Sequence, residues 1–156
     1  LVVITEIFHQ INIISPVFFH LDPGLEIAFG THEALDVPPG LLWRGEGPNG
    51  DGQDFTTPTV SLMVRGEKSP DGFEAAIADW RRWESQMGWA LTYEMTTPSA
   101  AAASARRSGW LMEMRAIALC GDALALLQLE YGTIEAVSMR PVIDRLAASL
   151  TETRPC

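Results

Sequence analysis

Phe73, Ala76, Ile77, Trp80 and Met87 recur three or four positions apart, which predicts an amphipathic helix over residues 70–87. Trp83 falls at the flank of that stripe and Glu84 close to its centre. Ser69 or Asp71 can cap the free N–H groups, Pro70 suits the first turn, and Glu74 stands where a capping box places its acid. Gly88 ends the helix. Met139, Val142, Ile143, Leu146, Ala147 and Leu150 predict a second helix over 139–150, with Pro141 in its first turn.

Between and before these helices the period drops to two. Trp110, Met112, Met114 and Ala116 alternate with Leu111, Glu113 and Arg115. After a reversal at Gly121-Asp122, Ala125, Leu127, Leu129 and Tyr131 alternate with Gln128 and Glu130, so the two runs predict a hairpin. Val2–Phe8, Ile11–Ile14, Val17–Leu21, Leu25–Phe29, Leu41–Arg44, Val60–Arg65 and Ala90–Thr96 read as further short strands. Turn chemistry at Ser15-Pro16, Asp22-Pro23-Gly24 and Pro38-Pro39-Gly40 separates the early ones. Residues 45–58, rich in Gly, Pro, Asn and Asp, read as a flexible surface loop. Thr97–Ser108 reads as a polar, alanine-rich connection. The order strands, helix, strands, helix predicts an α+β fold, an antiparallel sheet covered by the two helices.

At 156 residues the chain fits one domain, with 151–156 read as a disordered tail. The net charge is −9, and residues 1–64 hold eight acids against the single base Arg44. Such a chain repels phosphate backbones, which argues against nucleic-acid partners. Cys120 reads as a small buried residue and Cys156 as a mobile end, a set too small for a disulfide framework; a bridge between the two stays open, though neither spacing nor context argues for it. Residues 1–21 are apolar but broken by Glu6, His9, Gln10, Asn12, Pro16 and His20, so they predict neither a signal peptide nor a membrane span. The chain opens on Leu rather than Met and reads as a processed form or fragment of a soluble protein. It is expected to be cytoplasmic, or periplasmic if a leader preceded Leu1.

Catalytic signatures are absent from the sequence. His9, His20 and His32 lie near Asp22, Glu33 and Asp36, but their spacing does not make a metal site. The loop from Asn49 puts Asp54 and Val60 where a calcium loop needs Gly and Glu. No nucleophile elbow and no phosphate-binding glycine motif occurs. No metal or other cofactor is called for. Glu84 breaks the apolar stripe; buried, it would have a raised pKa, but its place in the last turn predicts a side chain that reaches solvent. Trp80 reads as core. Trp83, at the stripe's edge, Trp89, just past its end, and Trp110 are the candidate partner-binding residues, with Glu84 beside them.

The element order and the closing stretch Leu124-Ala-Leu-Leu-Gln-Leu-Glu-Tyr-Gly-Thr-Ile-Glu-Ala-Val-Ser-Met-Arg-Pro-Val-Ile-Asp-Arg-Leu-Ala-Ala-Ser-Leu150 resemble the PsbP-like/DcrB-like proteins. The resemblance covers about residues 60–150 and is one of pattern, without a diagnostic motif, so no functional residue carries over. It implies an α-β-α sandwich whose members are mostly binding or accessory proteins: photosystem subunits, a GTPase-binding factor, envelope lipoproteins, and chaperones for secreted effectors. The expectation is therefore a non-catalytic bacterial interaction domain, chaperone- or adaptor-like, holding another protein and open to homo-oligomerisation. Two alternatives stand beside it. One is a small-molecule or lipid-binding domain with a pocket lined by Trp110, Met112 and Met114, and the other a small enzyme acting through His9, His20 and His32.

Overall fold

A computed structural model describes residues 18–21, 25–28, 42–46, 52–120 and 122–149. Two short strands, β1 (Phe18–Leu21) and β2 (Leu25–Ala28), form an antiparallel hairpin. The rest is one seven-stranded antiparallel sheet. Its strands are β3 (Leu42–Glu46), β4 (Gly52–Thr56), β5 (Val60–Lys68), β6 (Ala90–Thr96), β7 (Ala100–Arg107), β8 (Trp110–Leu119) and β9 (Ala123–Gly132). Their order across the sheet is β3-β4-β5-β9-β8-β7-β6. Helix α1 (Phe73–Gln86) carries the chain from β5 to the far edge at β6, and α2 (Ala136–Ser149) follows β9 after a 3-10 turn at Thr133–Glu135.

The helices cover opposite faces of the sheet. Ile77, with Phe73, Ala76 and Trp80, packs on Ala101, Ala103, Met114, Ala116, Leu124 and Leu126. On the other face Met139 and Val142 of α2 join Val60, Leu62, Val64 and the odd-numbered residues 123–131 of β9. β9 is thus buried on both sides, and alternation sends Gln128 toward α1 and Leu127 and Leu129 toward α2. The α+β reading holds, and the two covers turn out to sandwich the sheet.

Four boundaries differ from the sequence reading. The alanine-rich stretch is strand β7, because alanines at 101, 103 and 105 leave room for the chain above to pack close to the sheet. Within residues 45–58 lies β4, opened by a glycine because a Cβ at Gly52 would stand 2.3 Å from the Val64 carbonyl oxygen. Helix α1 starts at Phe73 behind Gly72 (φ 90°) with no side-chain cap; the Ser69 hydroxyl instead donates to the Gly72 carbonyl. Pro141 lies inside α2, which begins five residues before it. Cys120, at the β8–β9 turn, is half-buried and disulfide-bonded. The predicted strands before residue 18, the tail 151–156 and Cys156 lie outside the described residues. No helix among the described residues is long and apolar enough to cross a membrane.

Candidate protein-binding surface

The antiparallel order brings several chain segments to one end of the sheet. There β9 finishes at Gly132, β8 begins at Trp110, β7 finishes at Arg107 and β6 begins at Ala90. The same end holds the C-terminus of α1 and the start of α2, because Thr133 N donates to the Gly109 carbonyl and Arg107 Nη1 to the Met87 carbonyl (both 2.9 Å). Gly88 (φ 85°) turns the chain back, so that Trp89 N donates to the Glu84 carbonyl and the Trp89 ring folds under the helix end. The Arg107 guanidinium stacks on that ring 4.4 Å from its centre. Trp89 is consequently 5 % exposed, and the expectation that a partner could reach it is corrected. Trp110 packs half-buried beside it, against Ala105 and Met112.

Beneath the second half of α1 lies a buried polar cluster. Gln128 projects from β9, accepts from Trp80 Nε1 (2.9 Å), and donates from Nε2 to Glu84 Oε1 (3.1 Å) and Glu130 Oε1 (2.9 Å). One amide thereby uses its acceptor and both donors, which fixes its orientation and that of the helix above it. Glu84 is 6 % exposed, against the expectation of a solvent-reaching side chain. The wheel position near the stripe's centre prevails over its place in the last turn, because Gln128 supplies a donor directly below. Burial pushes the Glu84 carboxyl above the ordinary carboxylate range. The Gln128 hydrogen bond pulls it back, the Glu130 charge adds to the rise, and Arg107 opposes it.

Trp83, by contrast, is 61 % exposed in the last turn of α1, with exposed Met87 just beyond it. Across the same end stand Ile134 (86 %) and Val137 (89 %), before and within the first turn of α2, and Leu91 at the start of β6. Exposed Tyr93 and Met95 continue along β6. Every exposed large hydrophobic among the described residues therefore lies at this end or on the β6 edge that runs from it. Single exposed apolar side chains are ordinary; what sets these apart is that they gather at one end of the sheet and its β6 margin, Trp83 and Met87 from the end of α1 and Ile134 and Val137 around the start of α2.

Of the four candidate residues, all come to this end of the molecule, but Trp83 alone is well exposed. Ile134 and Val137 escaped the sequence reading because they sit off the α2 stripe in a stretch with no other signal. Met112 and Met114 are each 1 % exposed and closed in packed clusters, so they line no open pocket with Trp110. No group of three metal-capable side chains occurs among the described residues. His9 and His32 lie outside those residues, as does the side chain of His20 in β1.

No protein-family model and no curated protein sequence matches this chain. Its fold is similar to the solved structure of the Saccharomyces cerevisiae Ran-binding protein Mog1p, with a TM-score of 0.50 and 12 % identity, over 73 % of this chain and 82 % of that one. A Pseudomonas aeruginosa protein of unknown function, PA94, gives a TM-score of 0.49 and 12 % identity over 89 % of this chain and 97 % of that one. At this identity the likeness to Mog1p is one of fold.

Proposed function

We propose that this chain is a non-catalytic protein-interaction domain of the PsbP-like/DcrB-like kind, and that it holds its partner on the end of the sheet. The observation that carries the reading is the gathering of Trp83, Met87, Leu91, Ile134 and Val137 around that end, all exposed. Tryptophan in particular combines large apolar area with an N–H donor, the combination enriched at binding hot spots. The polar cluster beneath α1 supplies a rigid base: Trp80 and Glu84, on either side of Trp83 in the helix, are both tied to Gln128. The Mog1p likeness supports the reading, since that protein is a Ran-binding one on a similar fold. An accessory role, as adaptor or chaperone, is the finer form of the proposal. The disulfide at Cys120 favours an oxidising compartment such as the periplasm over the cytoplasm.

Site-specific photo-crosslinking in the native host tests this. A photoreactive residue at Trp83, Met87, Ile134 or Val137 should give one discrete adduct with another protein. The same probe at Glu74, at the other end of α1, should give none. Equal labelling at both ends, or no adduct at any position, would overturn the proposal.

A further inference from the structure

Strand β6 closes one margin of the sheet, and all seven of its residues are exposed. It pairs with β7 alone, so its outer backbone groups point away from the fold. Edge strands are ordinarily blunted by charged side chains, proline or bulges; Ala90–Thr96 has no proline or lysine, and its one charge, Glu94, is paired with Arg81. A register irregularity between Leu91 and Tyr93 disrupts the upper part of the strand, while Tyr93–Thr96 run regularly. The pairing assigns faces: Glu94 and Thr96 stand opposite Ala103 and Ala101 on the α1 side, and Tyr93 and Met95 stand opposite Ser104 and Ala102 on the α2 side.

We propose that this edge pairs with the same edge of a second copy, antiparallel and centred on Met95. A two-fold axis perpendicular to the sheet keeps each face on its own side and makes the contact self-complementary. Centring on Glu94 would set two carboxylates directly opposite each other, which destabilises, and centring nearer Leu91 would engage the irregular segment. Centred on Met95, Glu94 lies opposite Thr96 of the second copy. Arg81 of α1 already reaches over this margin: Nη2 donates to the Thr96 hydroxyl, and Nε lies 3.1 Å from Glu94 Oε2. That Nε is buried and off the hydrogen-bonding direction, with no hydrogen-bond partner. Because Thr96 faces the second copy's Glu94, each Arg81 would stand between its own Glu94 and that of its neighbour. Two arginines and two glutamates then alternate on the α1 face, while two methionines and two tyrosines form an apolar strip on the other. This charge complementarity favours a second copy over an unrelated strand, which would meet an edge whose one acid is already neutralised. Trp83, Met87, Ile134 and Val137 stay outside the pairing, so this inference and the proposed partner surface stand or fall separately.

Sedimentation equilibrium over about 10 to 500 μM tests the pairing by its dependence on concentration. The wild-type chain should be a reversible dimer. Met95→Lys, which places two like charges on the axis, should weaken it by at least about tenfold while leaving the thermal midpoint of the monomer in place. Glu94→Arg alone should weaken it too, and the exchange Arg81→Glu/Glu94→Arg should restore it. Amide hydrogen exchange on the unmodified chain is a second readout: Thr97 N already donates to the Ala100 carbonyl, so alternation leaves the Glu94 and Thr96 amides facing outward, and their protection should rise with concentration. A monomer throughout, with fast exchange at Glu94 and Thr96, overturns the proposal. So does a dimer indifferent to Met95→Lys, or the strand of another protein found on β6.

Discussion

Gln128 is the most informative single position to perturb, because three side chains depend on its amide. Gln128→Leu keeps the volume and removes both donors and the acceptor. Trp80 Nε1–H, now bonded at 2.9 Å, would be left without its acceptor, at a cost of about 1–3 kcal/mol. Ionised Glu84, 6 % exposed, would lose its donor at 3.1 Å, and hydrogen bonds to charged groups contribute about 1.5–3 kcal/mol. Glu130 is half-buried and can turn to water, so its lost bond adds little. The sum is about 2.5–6 kcal/mol, a large part of the roughly 5–15 kcal/mol that holds a domain of this size folded. The loss should be greatest above the raised pKa of Glu84 and smaller at acidic pH, where a neutral carboxyl gives up a weaker bond. Urea unfolding followed by tryptophan fluorescence at pH 4.5 and pH 8 measures both terms. A loss below about 1 kcal/mol at pH 8, or an equal loss at the two pH values, would refute the account of the cluster.

Glu84→Gln should act in the opposite direction. A group whose pKa is raised on folding stabilises below its unfolded pKa, and that stability is lost as pH rises through the folded pKa. The substituted amide still accepts from Gln128, so its urea midpoint should exceed wild type at pH 8 and match it near pH 4. Arg107→Ala should cost about 1–2 kcal/mol in thermal or urea unfolding, through loss of the Met87 carbonyl bond and the cover on Trp89. Ala103→Leu should destabilise by about 1–3 kcal/mol by overpacking the layer under α1, read by the same unfolding curves. Reduction of the disulfide, or Cys120→Ser, should cost about 2–4 kcal/mol, seen as a fall in melting temperature under a phosphine reductant.

Most of the fold was legible in the sequence because most elements carry their own period. Ala90–Thr96 and the hairpin of 110–116 with 125–131 follow from alternation, and α1 from its stripe. What stayed hidden was context. β7 contains five alanines, whose side chains give no alternation to read, and only the layer above explains them. β4 begins with a glycine that closeness to β5 requires, yet glycine beside Asn and Asp reads as loop. The same limit applied to the candidate surface. The exposure of Trp83 follows from its place at the stripe's edge, but the burial of Trp89 depends on Arg107, eighteen positions away, and that of Glu84 on Gln128, in another element.

The place of β9 has a consequence for the order of assembly. β3–β5 and β6–β8 are two ribbons of neighbouring strands that can each zip locally, whereas β9 must join both, pairing Val60 with Tyr131 across the length of the domain. As the chain emerges from the ribosome, the inner edges of both ribbons stay open until residues 123–132 arrive. Such non-local closure is slow, and the half-built sheet is the species most exposed to pairing with the wrong strand. A chain cut before β9 would therefore be two unjoined ribbons with facing open edges, a substrate for chaperones and proteases rather than a smaller version of the domain.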